Sequence, residues 1–501
     1  MKKFLFLILL FCNAQSNGQN TLNPKNKAPY KPEYTKIKDL IPTPILEQDS
    51  CWLEMYRYCW EEAFKKIKSP APPSGFVSDY IDEGFNPNIF MWDTQFMILF
   101  WKYACHIFPA IQSNDNFYIK QHTDGYICRE IREADGRDVV FMGKKNTVNP
   151  PLFAYAELEY AMMSGDTERL TKVLPVLSRQ ADWITANRIK KHSAHGLFWQ
   201  KRFGSGMDNC PRKGNGWVDM SAQMVNFYNS IVSICELTGN TSIGNKYRDL
   251  SSRLGNKINQ WMWNEKDGMY YDVKNNGRQV KNTTIAAFWS LFAGICSRQQ
   301  SSDLVRHLCD TIEFWRKIPF PSIPANHRKY YSNGGDYWKG GVWAPTDYII
   351  VKGLENNGFY DIAYYATEKL LNGMYGVFKK TATVWENYSP ESYNRGNRSK
   401  GKFVGWTGLV PITMLIENII GIRVNALKNS VTWHINRVDR HGIRNLHSGK
   451  NTITLVCEKR NSKEDKVTIH VECKHSFTLK IILGETSREI MVKEGRSSYT
   501  L

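Results

Sequence analysis

Apolar residues recur every three to four positions through long segments between about residues 45 and 420, the period of helices with one buried face. The pattern predicts helices over 45–67, 94–108, 151–164, 167–189, 218–237, 245–263, 283–296, 343–354 and 360–371. Several follow one another through short breaks: Ser164-Gly165-Asp166-Thr167, Thr238-Gly239-Asn240-Thr241 and Asn357-Gly358-Phe359-Tyr360 each set a glycine where one helix should stop and the next begin. Such breaks make αα-hairpins. They alternate with longer, aromatic- and glycine-rich connections over 75–93, 120–150, 199–217, 317–342 and 379–405. In a closed ring of hairpins those connections gather at one end, where a site built from distant segments can lie.

From Gly421 the period changes to two. The segments 431–435, 452–456, 467–471 and 477–482 alternate apolar and polar residues and are separated by turn-forming clusters, so they read as strands of a small terminal β-domain. Packing against the helical domain is its simplest role, ahead of a carbohydrate-binding module. The expected organisation is a signal segment at 1–14, a Pro/Asn/Lys-rich lead over 15–43, a helical catalytic domain over 44–420 and the β-domain over 421–501.

Composition narrows the class. The 501 residues are 42% hydrophobic and 23% charged, which excludes a disordered or fibrous chain. Lys2 and Lys3, the apolar run 4–11 and Cys12-Asn13-Ala14 stand in the order of a secretory signal, with cleavage expected after Ala14. The protein is thus expected outside the cytoplasm, periplasmic or extracellular. Cys12 offers lipid anchoring as an alternative, although Phe11 is bulky where lipoprotein signals carry a small residue. No later run approaches the length of a transmembrane helix. Cys457 and Cys473, in neighbouring strand-like segments, are the best candidates for a disulfide, and no Cys/His group has the spacing of a zinc site. No metal or other cofactor is expected. A net charge of +18 is spread along the chain without a nucleic-acid motif, so solubility and weak attraction to polyanions account for it, and no nucleic-acid partner is expected.

Candidate chemistry sits in two of the long connections. Gly206-Met207-Asp208-Asn209-Cys210-Pro211-Arg212 and Thr383-Val384-Trp385-Glu386-Asn387-Tyr388 each place one carboxylate among glycine, aromatic and amide groups. Glycoside hydrolysis needs two carboxyl groups on opposite sides of one bond, one protonated to donate to the leaving oxygen and one ionised to act on water or the sugar. Met207, Cys210 and Pro211 could supply the apolar surroundings that favour a protonated Asp208. Asn387 and Tyr388 offer donors that would keep Glu386 ionised.

The segment Ser205-Gly206-Met207-Asp208-Asn209-Cys210-Pro211-Arg212 resembles the acid-bearing loop of glycoside hydrolase family 63, the processing α-glucosidase and mannosylglycerate/glucosylglycerate hydrolase group, which is related to the trehalases. Other segments match in the family's order: Asn88 to Asp93, ending in Met91-Trp92-Asp93, then Asp124-Gly125-Tyr126-Ile127-Cys128-Arg129-Glu130, Asn149-Pro150-Pro151, Gly335-Asp336-Tyr337-Trp338-Lys339-Gly340-Gly341-Val342-Trp343, Val384-Trp385-Glu386-Asn387-Tyr388 and Gly405-Trp406-Thr407-Gly408. The resemblance covers about residues 45–420 and implies a mainly α fold, an (α/α)6 toroid, working by inversion on a carbohydrate substrate. It implies Asp208 as general acid and Glu386 as general base. Trp92, Asp93, Arg129 and Glu130 would hold the first sugar, with Trp338, Lys339 and Trp343 as its wall. Asn209, Trp385, Asn387 and Trp406 complete the implied binding set. The expected activity is exo-acting release of a terminal α-linked sugar, glucose first.

Plainer readings compete. Asp93 could cap a helix, Arg129 and Glu130 could form a structural ion pair, and Asp219 and Glu391 are the nearest substitutes for the acid and the base. Lys339 stands where the family carries arginine and cannot make a bidentate fork, which leaves the substrate open. Arg395, Arg398, Lys400 and Lys402 make the 379–405 loop basic, through solvation or for an anionic aglycone such as a glycerate or uronate. A non-catalytic glycan-binding protein and a polyanion-binding surface protein are the alternative functions.

Overall fold

The computed structural model describes residues 30–139, 147–200 and 202–501, without the side chain of Arg202. The expected signal segment and Cys12 lie outside the described residues, and the lead segment is described from Tyr30 onward.

Twelve helices among the described residues build the larger part: α1 (Trp52–Lys65), α2 (Met91–Trp101), α3 (Ser113–Tyr118), α4 (Phe153–Ser164), α5 (Thr167–Asn187), α6 (Val218–Thr238), α7 (Thr241–Met262), α8 (Trp289–Phe292), α9 (Arg298–Cys309), α10 (Ala344–Asn356), α11 (Tyr360–Thr381) and α12 (Val410–Ile420). The even-numbered helices contact one another in succession, and α12 closes back on α2, so they form an inner ring. Every residue of α2 and α12 is buried. The outer α5 and α7 keep one apolar face, as a helix with water on its other side must. The fold is the (α/α)6 toroid expected from the sequence. At the tight turns, Gly165, Gly239 and Gly358 adopt φ of 75°, 74° and 84°, the left-handed conformation in which glycine escapes the Cβ clash.

Boundaries moved where tertiary contacts outweighed periodicity. The segment expected as helix from residue 45 opens as strand β1 (Thr43–Leu46), and its helix starts only at Trp52. The segment expected over 94–108 starts at Met91 and stops at Trp101. The 283–296 segment breaks into a 3₁₀ turn, Ile285–Phe288, followed by the four residues of α8. Helix α9, which periodicity did not pick out, carries a capping box from Ser297 to Gln300, a sequence signal in its own right.

The C-terminal strands are β2 (Ile422–Asn425), β3 (Ser430–His434), β4 (His441–Ser448), β5 (Asn451–Cys457), β6 (Thr468–Cys473), β7 (Phe477–Leu483), β8 (Thr486–Val492) and β9 (Gly495–Thr500). They form two sheets, ordered β1-β4-β5-β6-β9 and β8-β7-β3-β2. All neighbours are antiparallel except β7 and β3. Trp433 on β3 meets His441 on β4 edge-on at 5.9 Å, joining the sheets. Strand β1, from the other end of the chain, pairs with β4 from Thr43↔Arg444 to Leu46↔His441, so the boundary drawn at residue 43 cuts through a strand of this sheet.

The expected Cys457–Cys473 disulfide is absent, and both thiols are free. Cys457 pairs with Ile469 and Cys473 with Ile453, so the two sit four ladder positions apart. That is about 13 Å along a strand, beyond the reach of one S–S bond. Among the described residues no helix is long and apolar enough to cross a membrane.

Candidate active site

The long connections converge on the end of the toroid where the inner helices begin. There they enclose a cavity of about 220 Å³ whose lining includes Trp92, Asp93, Arg129, Glu130, Asp208, Trp338, Glu386 and Trp406. Segments separated by more than 300 positions thus meet because each precedes or opens an inner helix.

Trp92 and Asp93 occupy the first turn of α2. Asp93 does not cap it: the N-cap is Phe90, without a side-chain hydrogen bond. Asp93 is buried, its Oδ1 has no hydrogen-bond partner among the described residues, and burial followed by the charge of Glu386 pushes its pKa well above the carboxylate range. Trp92 Nε1 and Asn149 Oδ1 likewise have no partner among the described residues. Three buried polar atoms on cavity-lining residues are therefore left unpaired within the described protein. Arg129 and Glu130 do form an ion pair, Nη2 to Oε2 at 2.8 Å, and both also line the cavity. Asn88 donates to Glu130 Oε1 at 2.7 Å and fixes that carboxylate.

Asp208 is half-buried in the loop leading to α6. Gly206 has φ of 77°, and a Cβ there would come within 2.9 Å of the Trp92 ring, so the loop can lie against the indole only with glycine at this position. The amide of Asn209 lies outside the cavity lining. Its Nδ2 donates to the Asp336 carbonyl at 3.0 Å and its Oδ1 accepts from the Trp338 amide at 2.7 Å, tying the Asp208 loop to the 330–341 loop.

Glu386 is 3% exposed. Tyr337 donates its hydroxyl to Oε1 at 3.1 Å, and the Lys400 amide donates to Oε2 at 3.3 Å. Burial raises the pKa of Glu386, opposed by the Lys400 charge and these donors, with the nearby Asp208 adding a smaller upward push. Asn387 and Tyr388, which the sequence offered as donors, do not reach the carboxylate: Asn387 is fully buried beside Gly396, and the Tyr388 hydroxyl accepts from the Trp385 amide. Tyr337 takes that part, and it does so at φ of 58°, a strained value for an aromatic residue.

Of the three residues expected as a wall, only Trp338 lines the cavity. Trp343 stacks behind it, with centroids 4.1 Å apart and planes at 3°. Lys339 turns away to Asp336 Oδ2 at 2.9 Å, as a short cation can when it need not fork two acceptors. Trp385 is half-buried outside the lining, under the Arg395 guanidinium at 4.8 Å. Trp406 lines the cavity and donates to the Glu386 carbonyl at 2.9 Å. Asp219 and Glu391, the substitutes for acid and base, are held in ion pairs with Arg212 and Arg316 away from the lining. Of the four basic loop residues only Lys400 joins the lining, its Nζ 3.8 Å from the centre of the Phe85 ring. Phe85, Asn86 and Phe203 join the rim without having been singled out in the sequence, the two phenylalanines signalled only by the aromatic richness of these connections, and Phe90 joins it from the matched segment Asn88 to Asp93.

Residues 78–407 match the family profile of the mannosylglycerate hydrolase MGH1-like glycoside hydrolase domain. The chain belongs to this family. An uncharacterised protein of Borreliella burgdorferi is 26% identical to this hydrolase over 80% of its chain and 86% of the relative. A protein of Schizosaccharomyces pombe named as a probable mannosyl-oligosaccharide glucosidase is 22% identical over half of the hydrolase and 35% of its own length. Among solved structures, the GH63 mannosylglycerate hydrolase from Thermus thermophilus in complex with glucose superposes with a TM-score of 0.57 at 18% identity. That match covers 71% of the hydrolase and 98% of the Thermus chain, and it shows a shared fold. Family and fold together make this chain a glycoside hydrolase of the GH63 type.

Proposed function

We propose that this hydrolase is an exported, inverting and exo-acting enzyme that releases a terminal α-linked sugar, glucose first, from a short glycan or glycoside. The observation that carries the reading is the joint presence of Asp208 and Glu386 on the wall of one small cavity rimmed by aromatic side chains. At about 220 Å³ it falls below the usual span of small-molecule pockets, roughly 300–1,000 Å³, which suits one enclosed terminal ring. Asp208 donates its proton to the glycosidic oxygen as the C–O bond breaks. Glu386 takes a proton from water, whose oxygen bonds to the anomeric carbon from the opposite face, so an α-linked substrate gives a β product. Tyr337 holds Glu386 in line, and Asp93 and Arg129 hold the ring.

Proton NMR of the first sugar released from an α-glucoside tests this. The β anomer is expected, and an initial α anomer overturns inversion. Asp208→Asn and Glu386→Gln should each lower turnover by on the order of 10²-fold or more while substrate binding and fold survive. Full activity in both would remove these residues from the chemistry. Export rests on the order of charged, apolar and small residues at the amino terminus; the exported protein should begin near Gln15, and a mass retaining Met1 would exclude that.

A hydroxy-acid aglycone is the second reading, favoured by the Lys400 ammonium at the cavity rim. Lys400→Met should then raise KM for glucosylglycerate or mannosylglycerate and leave KM for methyl α-glucoside unchanged. Equal effects on both would discard an anionic aglycone.

A further inference from the structure

The catalytic cavity occupies only one end of the ring. A second cavity, of about 320 Å³, lies among the later turns of the same inner helices. All six contribute, through the turn after α2 and through α4, α6, α8, α10 and α12, while β2 and β3 of the C-terminal domain close it from outside. A further space of about 420 Å³ adjoins it across Tyr155, Asn226 and Phe292. Neither shares a residue with the catalytic cavity.

We propose that this cavity is a second binding site, for a neutral polyhydroxylated molecule of about monosaccharide size. The volume lies at the lower end of the range for small-ligand sites, roughly 300–1,000 Å³. Its charges select against ions. Lys102 pairs with Glu159 at 2.6 Å and Glu417 at 2.7 Å, Lys352 pairs with Glu417 and with Glu355 at 3.3 Å, and Arg423 pairs with Glu355. Three cations and three carboxylates therefore balance, and an ionic ligand would have to break an internal pair and leave a buried charge uncompensated. A hydroxyl group can bond to the outer lone pairs and protons of these groups without separating them. Asn226 lines the wall, and its Oδ1 has no hydrogen-bond partner among the described residues but is shielded from the cavity, so a turn of this amide would present its acceptor to such a hydroxyl. Phe292 and Tyr155 meet edge-on at 5.1 Å beside it and offer the apolar surface on which the C–H groups of a sugar or polyol pack.

Calorimetric titration of the full chain with D-glucose, D-mannose and glycerol decides the matter, using wild type, Trp92→Ala to weaken the catalytic cavity, and Asn226→Leu to remove the acceptor. The expected result is a binding component for at least one probe that survives Trp92→Ala and weakens by about tenfold or more in Asn226→Leu. Thr432 of β3 also lines the cavity and offers it a hydroxyl, so Thr432→Val, made from the β-domain side, decides in the same way if Asn226→Leu fails to fold. No component surviving Trp92→Ala, or a surviving one indifferent to the cavity substitution, overturns the proposal. Heat of binding is read without turnover, so failure of the proposed hydrolysis leaves this test intact.

Discussion

Glu386 shows how one residue's chemistry is set by groups from elsewhere in the chain. Burial pushes its carboxyl toward the protonated form, and the Lys400 charge opposes that push. Its pKa lies above the ordinary value near 4.5, so activity that needs the ionised base is lost as pH falls through the raised value. Removing the Lys400 charge raises that value further. Lys400→Met should therefore move the acid limb of the kcat/KM profile to higher pH, and added salt should narrow the difference because Lys400 is exposed. A limb that stays in place would show that Lys400 does not tune the base. The sequence made Glu386 legible through its motif, whereas Tyr337 as its hydroxyl donor was not, because that contact depends on a positive φ forced by the glycine-rich loop around it.

Among the elements, the loop before α6 works by fitting closely against α2. Gly206→Ala would drive a methyl group into the Trp92 ring at a backbone angle unsuited to alanine. The loop carrying Asp208 should shift, with turnover falling on the order of 10²-fold, the scale expected for a misplacement of about 1 Å. Circular dichroism should stay unchanged; wild-type turnover would show that the loop tolerates the displacement. Helix α10 holds a different kind of tension. Asp347, in its first turn, is 1% exposed and its Oδ1 has no hydrogen-bond partner among the described residues. Burial alone raises its pKa well above 3.8. A carboxyl raised in this way gives its full contribution to stability below its unfolded value and loses it as pH climbs through the folded value. Asp347→Asn should remove that loss, so its stability relative to wild type should grow by about 1.4 kcal/mol for each pH unit between the ordinary unfolded value and the raised folded value and level off above it, with its Tm advantage following the same course. Parallel Tm curves would mean that Asp347 does not titrate in the folded protein.

The whole molecule joins its helical and β parts tightly. Trp433, fully buried on β3, donates its indole N–H to the Ile420 carbonyl at the end of α12 at 2.9 Å, and β1 enters the C-terminal sheet ahead of α1. Trp433→Ala should cost about 3–5 kcal/mol, the usual penalty for deleting a buried ring. Calorimetry should show both parts still melting in one transition, and a separate early transition of the β part would deny the coupling. Much of this design is local and therefore readable in order along the chain: amphipathic periods, glycines at hairpin turns, alternation in the late strands and loop motifs carrying one carboxylate each. Ring closure was legible only through the family resemblance, and the pairing of β1 with β4 and the breaking of the 283–296 helix were not readable, since each depends on partners distant in sequence. The same holds within the site. Residue types in the motifs nominated Asp208, Glu386, Trp92 and Arg129, but only packing decided that Trp338 faces the cavity while Trp343 backs it, and that Lys339 turns outward to Asp336. Sequence alone determined which side chains are available and which segments form helices or strands, because propensity and period act over a few residues. Tertiary structure decided which of those side chains meet, because contact, burial and charge balance arise only when the ring closes.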